Sequence, residues 1–193
     1  VAGDISSTTA GTSNFRAGVN AGDAIQSGGN FNVVVGDEAG TAITTGDNNV
    51  GLGYAALTAT TTGTGNTGIG FSALDANTTA SDNTGVGANS LGVNTTGTRN
   101  TSVGSDSLDA NTEGNDNTAV GKNALSANTT ASNNTAVGKN SLAVNTTGSD
   151  NTAVGKDAGA AVTTAIKNTL IGGLAGDALN TGSYNVVLGM QAL

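Results

Sequence analysis

Asn117-Thr118-Ala119-Val120-Gly121 is the plainest copy of a phrase that recurs every 17 residues along the chain. Its Asn stands at ten positions, its Gly follows four residues after each, and the residue before that Gly is always Val, Leu or Ile. A fixed period of this kind is the sequence signature of a repeat architecture. The repeated residues are Asn32, Asn49, Asn66, Asn83, Asn100, Asn117, Asn134, Asn151, Asn168 and Asn185, followed by Gly36, Gly53, Gly70, Gly87, Gly104, Gly121, Gly138, Gly155, Gly172 and Gly189.

Each unit contains two short runs joined by a corner and a turn. In the unit that begins at Asn134, residues 135–137 form the first run, residues 140–144 the second, and residues 145–150 a turn rich in Asn, Gly, Ser and Asp. Alternation along an extended chain places every second side chain on the same face. We therefore expect the Val, Ile or Leu before each Gly to point inward, together with Leu142 and Val144 of the second run.

The unit length selects a β-solenoid over a helical repeat. The chain lacks apolar residues at helical spacing, and the Gly and Asn of every unit disfavour helix. Paired helices need about 33–47 residues per repeat, whereas 17 residues suit two short strands and two corners. The sequence predicts an all-β fold, a parallel β-solenoid (β-roll) whose coils stack about 4.8 Å apart. In that register Val120 pairs with Val103 and Val137.

Stacking places each residue over its own copy in the next coil. Asn over Asn predicts ladders of side-chain amides, as in cross-β assemblies, and Gly permits a corner of positive φ. Seven of the ten units carry Leu in the second run: Leu57, Leu74, Leu91, Leu108, Leu125, Leu142 and Leu193. The other three carry Gly40, Gly159 and Gly176, and each has an apolar residue three positions later, namely Ile43, Val162 and Leu179.

The array covers residues 14–193, about eleven coils, and residues 1–13 form an irregular segment or partial coil. The first coil is a degenerate copy with one residue inserted after Ile25, and terminal repeats are commonly atypical. The last unit stops at Leu193 without a cap sequence. The sequence therefore predicts either a fibre that continues beyond it or a coil completed by residues 1–13 of a neighbouring molecule, which would give a head-to-tail filament.

The composition of a coil also predicts self-association. Two large apolar side chains per 17 residues offset little of the conformational entropy lost on ordering a coil. Small residues alternate with the apolar ones in the first run, and we expect Ala119, Ala136 and Ala153 to lie near a subunit boundary. A homo-oligomer is the natural expectation.

The phrase Asn-Thr-Ala-Val-Gly-x-x-Ala/Ser-Leu resembles the head repeats of trimeric autotransporter adhesins (YadA-like heads) and repeats of phage tail fibres and other bacterial surface fibres. The resemblance covers about residues 14–193, although the adhesin unit is usually somewhat shorter. It implies a left-handed β-roll, three chains packed round one axis, and an extracellular location on a cell surface or in a virion fibre. It also implies an adhesive or spacer role, with a host surface glycan or protein as the partner.

Several classes of function are disfavoured by composition. The chain has no His and no Cys, so nucleophilic catalysis and thiolate metal sites lack their usual residues, and we expect neither an enzyme nor a cofactor or metal. A net charge of −8 disfavours nucleic acid. No apolar run approaches the length of a membrane helix, so we expect no membrane insertion in this segment.

Three sets of residues are candidates for binding or modification. Lys122, Lys139 and Lys156 occupy one position in successive coils and form either a solvated edge or a stripe for acidic glycans. Thr129 and Thr146 belong to a row of corner Thr pairs, which suits β-corners and also resembles the faces of ice-binding solenoids. Glycosylation sequons begin at Asn77, Asn94, Asn100, Asn128, Asn133 and Asn145.

Overall fold

The computed structural model describes residues 5–6 and 11–193, and its regular structure is a single sheet of twelve short strands in chain order. β2 to β12 are parallel neighbours, and the described residues contain no helix. The parallel β-solenoid of 17-residue coils is thus confirmed. The strands are β1 Ile5–Ser6, β2 Phe15–Ala17, β3 Val33–Val35, β4 Val50–Leu52, β5 Thr67–Ile69, β6 Thr84–Val86, β7 Thr101–Val103, β8 Thr118–Val120, β9 Thr135–Val137, β10 Thr152–Val154, β11 Thr169–Ile171 and β12 Val186–Leu188.

The register of the sheet follows the sequence period. Val120 lies opposite Val103 on one side and Val137 on the other, as predicted. β2 pairs with β3 at an offset of 18 residues, Phe15 opposite Val33, which accommodates the extra residue of the first coil. Each strand thus pairs with its own copy in the next coil.

The N-terminal edge of the sheet is covered by β1. Ile5 pairs with Ala17 and Ser6 with Arg16, and the two strands are antiparallel. An uncovered edge strand offers its free N–H and C=O groups to other chains, and solenoids commonly cover theirs. Part of the segment 1–13, expected to be irregular, therefore pairs with the outer edge of its own first coil.

The second run of each coil is built from turns, and the expectation of a second strand is wrong. Asn140 has φ 56° and Leu142 φ 50°, both in the left-handed region. Asn140 N–H donates to Lys122 O of the preceding coil, whereas Leu142 N–H donates to Ala158 O of the following one. Alternate N–H groups thus reach both neighbouring coils while the backbone curls. Because of this curl, a 17-residue perimeter encloses a narrow interior.

The strand side chains point the opposite way from the expectation. Ala119, Ala136 and Ala153 are fully buried, whereas Val120 is 37% exposed and faces solvent. The Val, Ile or Leu before each Gly is therefore outside the core, and these Ala residues lie inside the coil rather than near a subunit boundary. Val144 of the second run is also exposed, at 42%.

The reason for this orientation is the space taken by the buried Leu. A Cβ on Gly68, which occupies the inward strand position, would lie 3.2 Å from Leu57 Cγ, and a Cβ on Gly85 3.3 Å from Leu74 Cγ. The interior opposite Leu has room only for Gly, Ala or Ser. The larger residue of each strand is thereby forced outward.

The core is a column of Leu side chains, supplemented where Leu is replaced. All the Leu residues from Leu57 to Leu142 in this position are fully buried. In the Gly40 coil, Ile43 and the inward strand residue Val34 are fully buried instead. A Cβ on Gly40 would lie 2.6 Å from Val34 Cγ1 and 2.8 Å from Ile43 Cδ1. The predicted compensation between Gly and the later apolar residue is confirmed there.

Two ladders of buried Asn side chains run along the solenoid. Asn117 Oδ1 accepts the backbone N–H of Asn134, and Asn117 Nδ2 donates to Ala131 O, 14 residues further along the same coil. Each repeat Asn therefore closes its own coil and binds the next one. A second ladder joins Asn77, Asn94, Asn111, Asn128 and Asn145 through Nδ2–Oδ1 hydrogen bonds of 2.8–3.2 Å.

The repeat Gly allows adjacent coils to approach at the corner after the strand. Gly121 has φ 134°, and a Cβ placed on it would lie 2.6 Å from the carbonyl carbon and oxygen of Gly138. Backbone cannot move aside as a flexible side chain can. A side chain at this position would therefore separate the two coils.

Candidate functional site

The repeat Asn and Gly residues are structural, so candidate functional groups are those on the outside of the coil. The outward face of β2–β12, here called the strand face, carries two rows of side chains. One row is apolar throughout from β3 onward: Val35, Leu52, Ile69, Val86, Val103, Val120, Val137, Val154, Ile171 and Leu188. Its members include Leu52 at 45% exposure and Ile171 at 39%.

The second row of the strand face is mainly Thr. Seven strands begin with Thr, namely Thr67, Thr84, Thr101, Thr118, Thr135, Thr152 and Thr169. Their backbone N–H groups bind the next coil, as in Thr118 N–H to Asn134 O at 2.8 Å. Their hydroxyl groups form no hydrogen bond within the described part of the chain. These hydroxyls face solvent at a regular spacing of about 4.8 Å.

A third row, here called the corner row, consists of the residues that directly follow the repeat Gly. Tyr54 and Phe71 stand in adjacent coils of this row, 54% and 56% exposed, with their ring centroids 5.6 Å apart and the ring planes 14° apart. Sequence reasoning missed this pair. Its signal was two aromatic residues 17 positions apart in a chain that is 3% aromatic.

The predicted Lys stripe lies in the same corner row. Lys122, Lys139 and Lys156 are all exposed and stand on consecutive coils. Lys156 Nζ is 2.6 Å from Asp157 Oδ2, and this cation holds the pKa of Asp157 below its usual range, with help from Asn140. The structure thus brings the three ammonium groups together as a stripe at the solvent edge.

The corner Thr residues proposed for ligand binding use their hydroxyls inside the protein. Thr129 Oγ1 donates to Thr146 O at 3.2 Å, and Thr146 Oγ1 donates to Thr163 O at 3.2 Å. Both side chains are half-buried. The neighbouring Thr130 and Thr147 are the exposed members of these pairs.

Most of the sequon Asn residues are inside the solenoid. Asn77, Asn94, Asn100, Asn128 and Asn145 are fully buried members of the two Asn ladders. Asn133 alone among the six is exposed, and its Nδ2 donates to Asp150 Oδ1 at 3.1 Å. Of the six sequons, only the one at Asn133 presents an accessible Asn side chain for glycosylation.

Charged groups on the turn side of the coil are paired along the stack. Arg99 binds Asp116 of the next coil through two hydrogen bonds, 2.7 and 2.9 Å, and holds the pKa of Asp116 below its ordinary value. Three coils beyond Asp116, Lys167 Nζ lies 5.4 Å from the ring centroid of Tyr184. These exposed pairs order the surface and stabilise it little.

One carboxylate is poorly accommodated. Asp109 Oδ1 is shut off from solvent and has no hydrogen-bond partner in the described chain. Burial raises the pKa of Asp109, the charge of Asp106 raises it further, and backbone hydrogen bonds offset part of the shift. Nothing in the surroundings of Asp109 suggests a ligand site.

Comparison with protein-family models, with curated proteins and with solved structures finds no match for this chain. Within residues 5–6 and 11–193, no group of three or more acidic, His or Cys side chains is placed to hold a metal ion. No helix in that part of the chain is long and apolar enough to cross a membrane. The surfaces described above therefore carry the functional argument by themselves.

Proposed function

We propose that this chain is a structural segment of an extracellular fibre, on a cell surface or in a virion fibre, whose solenoids associate through the strand face. The observation that carries this proposal is the unbroken apolar row from Val35 to Leu188. Contiguous apolar surface exposed on this scale marks an interaction site. The row runs parallel to the stacking axis, so a second solenoid laid along it meets the same chemistry in every coil.

A trimer is the assembly that we propose. A single strand face per chain, turned toward a common axis, buries the apolar rows of three copies in one closed arrangement. The resemblance of the repeat to trimeric adhesin heads supports this number of chains. The flanking Thr row supplies small side chains that let backbones approach. Head-to-tail stacking has less support, because β1 already pairs with the outer edge of β2.

An attachment role follows from what remains exposed in such a fibre. The turn side of each coil repeats the same short polar pattern, so any contact with a host surface glycan or protein is presented many times. Repetition of a weak site raises the total affinity by multivalency. The Lys stripe is the candidate for anionic glycans.

The test of association places Lys on the strand face. The double variant Val120→Lys/Val137→Lys should convert the oligomer to monomer in sedimentation experiments while the far-ultraviolet circular dichroism stays unchanged. Its matched control is Val93→Lys/Val144→Lys, which changes two exposed Val residues of the turn side, 46% and 42% exposed. The proposal fails if the unmodified chain is monomeric at micromolar concentration, or if both variants dissociate equally.

Ice binding is the second candidate function. The sequence suggested the corner Thr residues for it, whereas the structure favours the Thr row of the strand face. The seven strand Thr hydroxyls have no hydrogen-bond partner among the described residues, lie in one row and stand beside the row of Val, Ile and Leu side chains. Such an array offers hydroxyl groups to water at a regular spacing of about 4.8 Å. If free solenoids bind ice, the strand face is the surface that contacts it, and thermal hysteresis measures it.

A further inference from the structure

The corner row has an asymmetric composition along the solenoid. Its first part carries Asp37 and then the aromatic pair Tyr54 and Phe71, and its later part carries the three Lys residues, which Gly173 and Met190 follow. The two parts are separated by small residues, Ala88 and Ser105, both half-buried. The acid and the exposed aromatic rings thus stand on one side of a shallow middle, and the three cations stand on the other side.

We infer that the corner row binds a second copy of this chain lying antiparallel. With a two-fold axis between Ala88 and Ser105, each residue of the row faces a residue of the partner. The two residues lie the same number of coils from the axis, on opposite sides of it in the sequence. Counting outward, Phe71 meets Lys122 and Tyr54 meets Lys139. Both are aromatic–cation pairs, which attract when an ammonium lies within about 6 Å of a ring centroid.

The next step along the row adds an ion pair. Asp37 meets Lys156, and both side chains are exposed. Because a two-fold interface is isologous, every pair occurs twice. Lys156 also contacts Asp157 of its own chain, so its ammonium would bridge two carboxylates. Lys122 and Lys139 have no ion-pair partner in the described chain and are free to meet the rings.

A parallel, in-register arrangement through the same row would be unfavourable. Each Lys would then face its own copy, and three consecutive like-charged pairs repel. The antiparallel arrangement turns the same stripe into an attractive element. This contact is separate from strand-face association, since it uses the corner and the opposite chain direction; it would join fibres side by side.

Disulfide trapping distinguishes chain directions, because the natural chain contains no Cys. Variants Tyr54→Cys and Lys139→Cys are prepared separately, mixed and oxidised. The antiparallel contact predicts mixed disulfide dimers, at least tenfold more abundant than homodimers of either variant alone. Thr130→Cys, exposed on another corner, serves as the control for random collisions. Homodimers of Tyr54→Cys as abundant as the mixed product, or cross-linking no greater than the control, would overturn the inference.

Charge removal tests the attraction and separates it from glycan binding. Lys122→Ser/Lys139→Ser should weaken lateral association about tenfold or more, and the association of the natural chain should weaken with added salt. Thr130→Asp/Thr147→Asp changes the net charge equally and should leave association intact. Should the Lys variant lose only retention on a sulfated-glycan column, with association unchanged, the stripe binds glycans and the antiparallel contact is wrong. Loss of the strand-face trimer is scored independently with the Val variants.

Discussion

Val162 contributes a buried side chain to the coil in which Gly159 stands at the position that is Leu in most other coils. A Cβ on Gly159 would lie 2.8 Å from Leu170 Cδ1, 2.9 Å from Leu142 Cδ2 and 3.4 Å from Val162 Cγ2, so Val162 shares this space with the inward Leu170 of the next strand. The position three residues after the buried Leu is Asn in five successive coils, and it becomes Val where the Leu becomes Gly. The filled volume of the interior is thus conserved, although a different position in the coil supplies the buried side chain.

This exchange predicts a coupling between two positions. Leu125→Gly should lower the free energy of unfolding by about 3–5 kcal/mol, because it leaves a cavity in a closely packed core. Adding Asn128→Val should recover at least about 1 kcal/mol relative to the sum of the single changes, although it interrupts the second Asn ladder. Urea denaturation of the natural chain, both single variants and the double variant measures the coupling. Strict additivity would show that the two positions fill separate spaces.

The inward orientation of the strand Ala residues predicts that Ala136 and its neighbour Val137 differ sharply in how well they tolerate a larger side chain. Ala136→Leu should destabilise by about 1–3 kcal/mol through overpacking against the Leu column. Val137→Leu, on the outer face one residue later, should stay within about 0.5 kcal/mol. Thermal unfolding of the two variants gives the comparison. Equal tolerance at both positions would contradict the buried position of Ala136.

Much of the fold could be predicted from the period, but which side chains of each strand face the interior could not. The 17-residue repeat determines the parallel register and the Asn ladder, since each residue must stack on its copy. A three-residue strand such as Thr118–Val120 satisfies alternation in either direction. Which side chains of the strand face inward depends on how far the buried Leu side chains reach across the coil. That reach depends in turn on a left-handed backbone that is unusual for Leu, as at Leu125 with φ 51°.

The orientation of the strands also decides which surfaces are candidates for binding. If Val lies in the interior, the strand face has no exposed apolar row, and the corner Thr residues are the regular hydroxyl array that remains. Hydrogen bonds between coils also engage side chains that the sequence alone leaves available for a ligand. Thr129 donates to the next coil, and Asn128 lies within a ladder.

The repeat Gly should not accept even a methyl group. Gly121→Ala places a Cβ about where the backbone of Gly138 lies and requires a φ that L-residues rarely adopt. We expect a loss of about 3 kcal/mol or more in unfolding free energy. Gly92→Ala is the control, since its Cβ would lie no closer than 3.3 Å to its neighbours, and other coils carry Ser or Ala at that position. A similar small effect at both sites would refute the close approach of the coils.

The raised pKa of Asp109 predicts a pH-dependent penalty. A carboxyl whose folded pKa exceeds its unfolded value disfavours the folded state above the folded pKa and not below the unfolded one. Asp109→Asn should therefore raise stability at pH 7 by about 1 kcal/mol, and the gain should vanish in acid. Asp177→Asn, exposed at the equivalent position, should show no gain. Melting temperatures measured between about pH 3 and pH 7, in steps of about one pH unit, give the profile. A gain independent of pH would exclude the carboxylate charge as its cause.

The strand Thr row separates the two candidate functions of the strand face. Thr118→Tyr/Thr135→Tyr replaces two regular hydroxyls with bulky rings, whereas Thr130→Tyr/Thr147→Tyr makes the same change on the exposed corner. Ice binding predicts thermal hysteresis in the natural chain that the strand variant loses and the corner variant keeps. Association through the strand face predicts no hysteresis, together with dissociation of the strand variant alone. Because association covers the very hydroxyls that ice would need, an oligomer that also shows full hysteresis would exclude the strand face as the contact between chains.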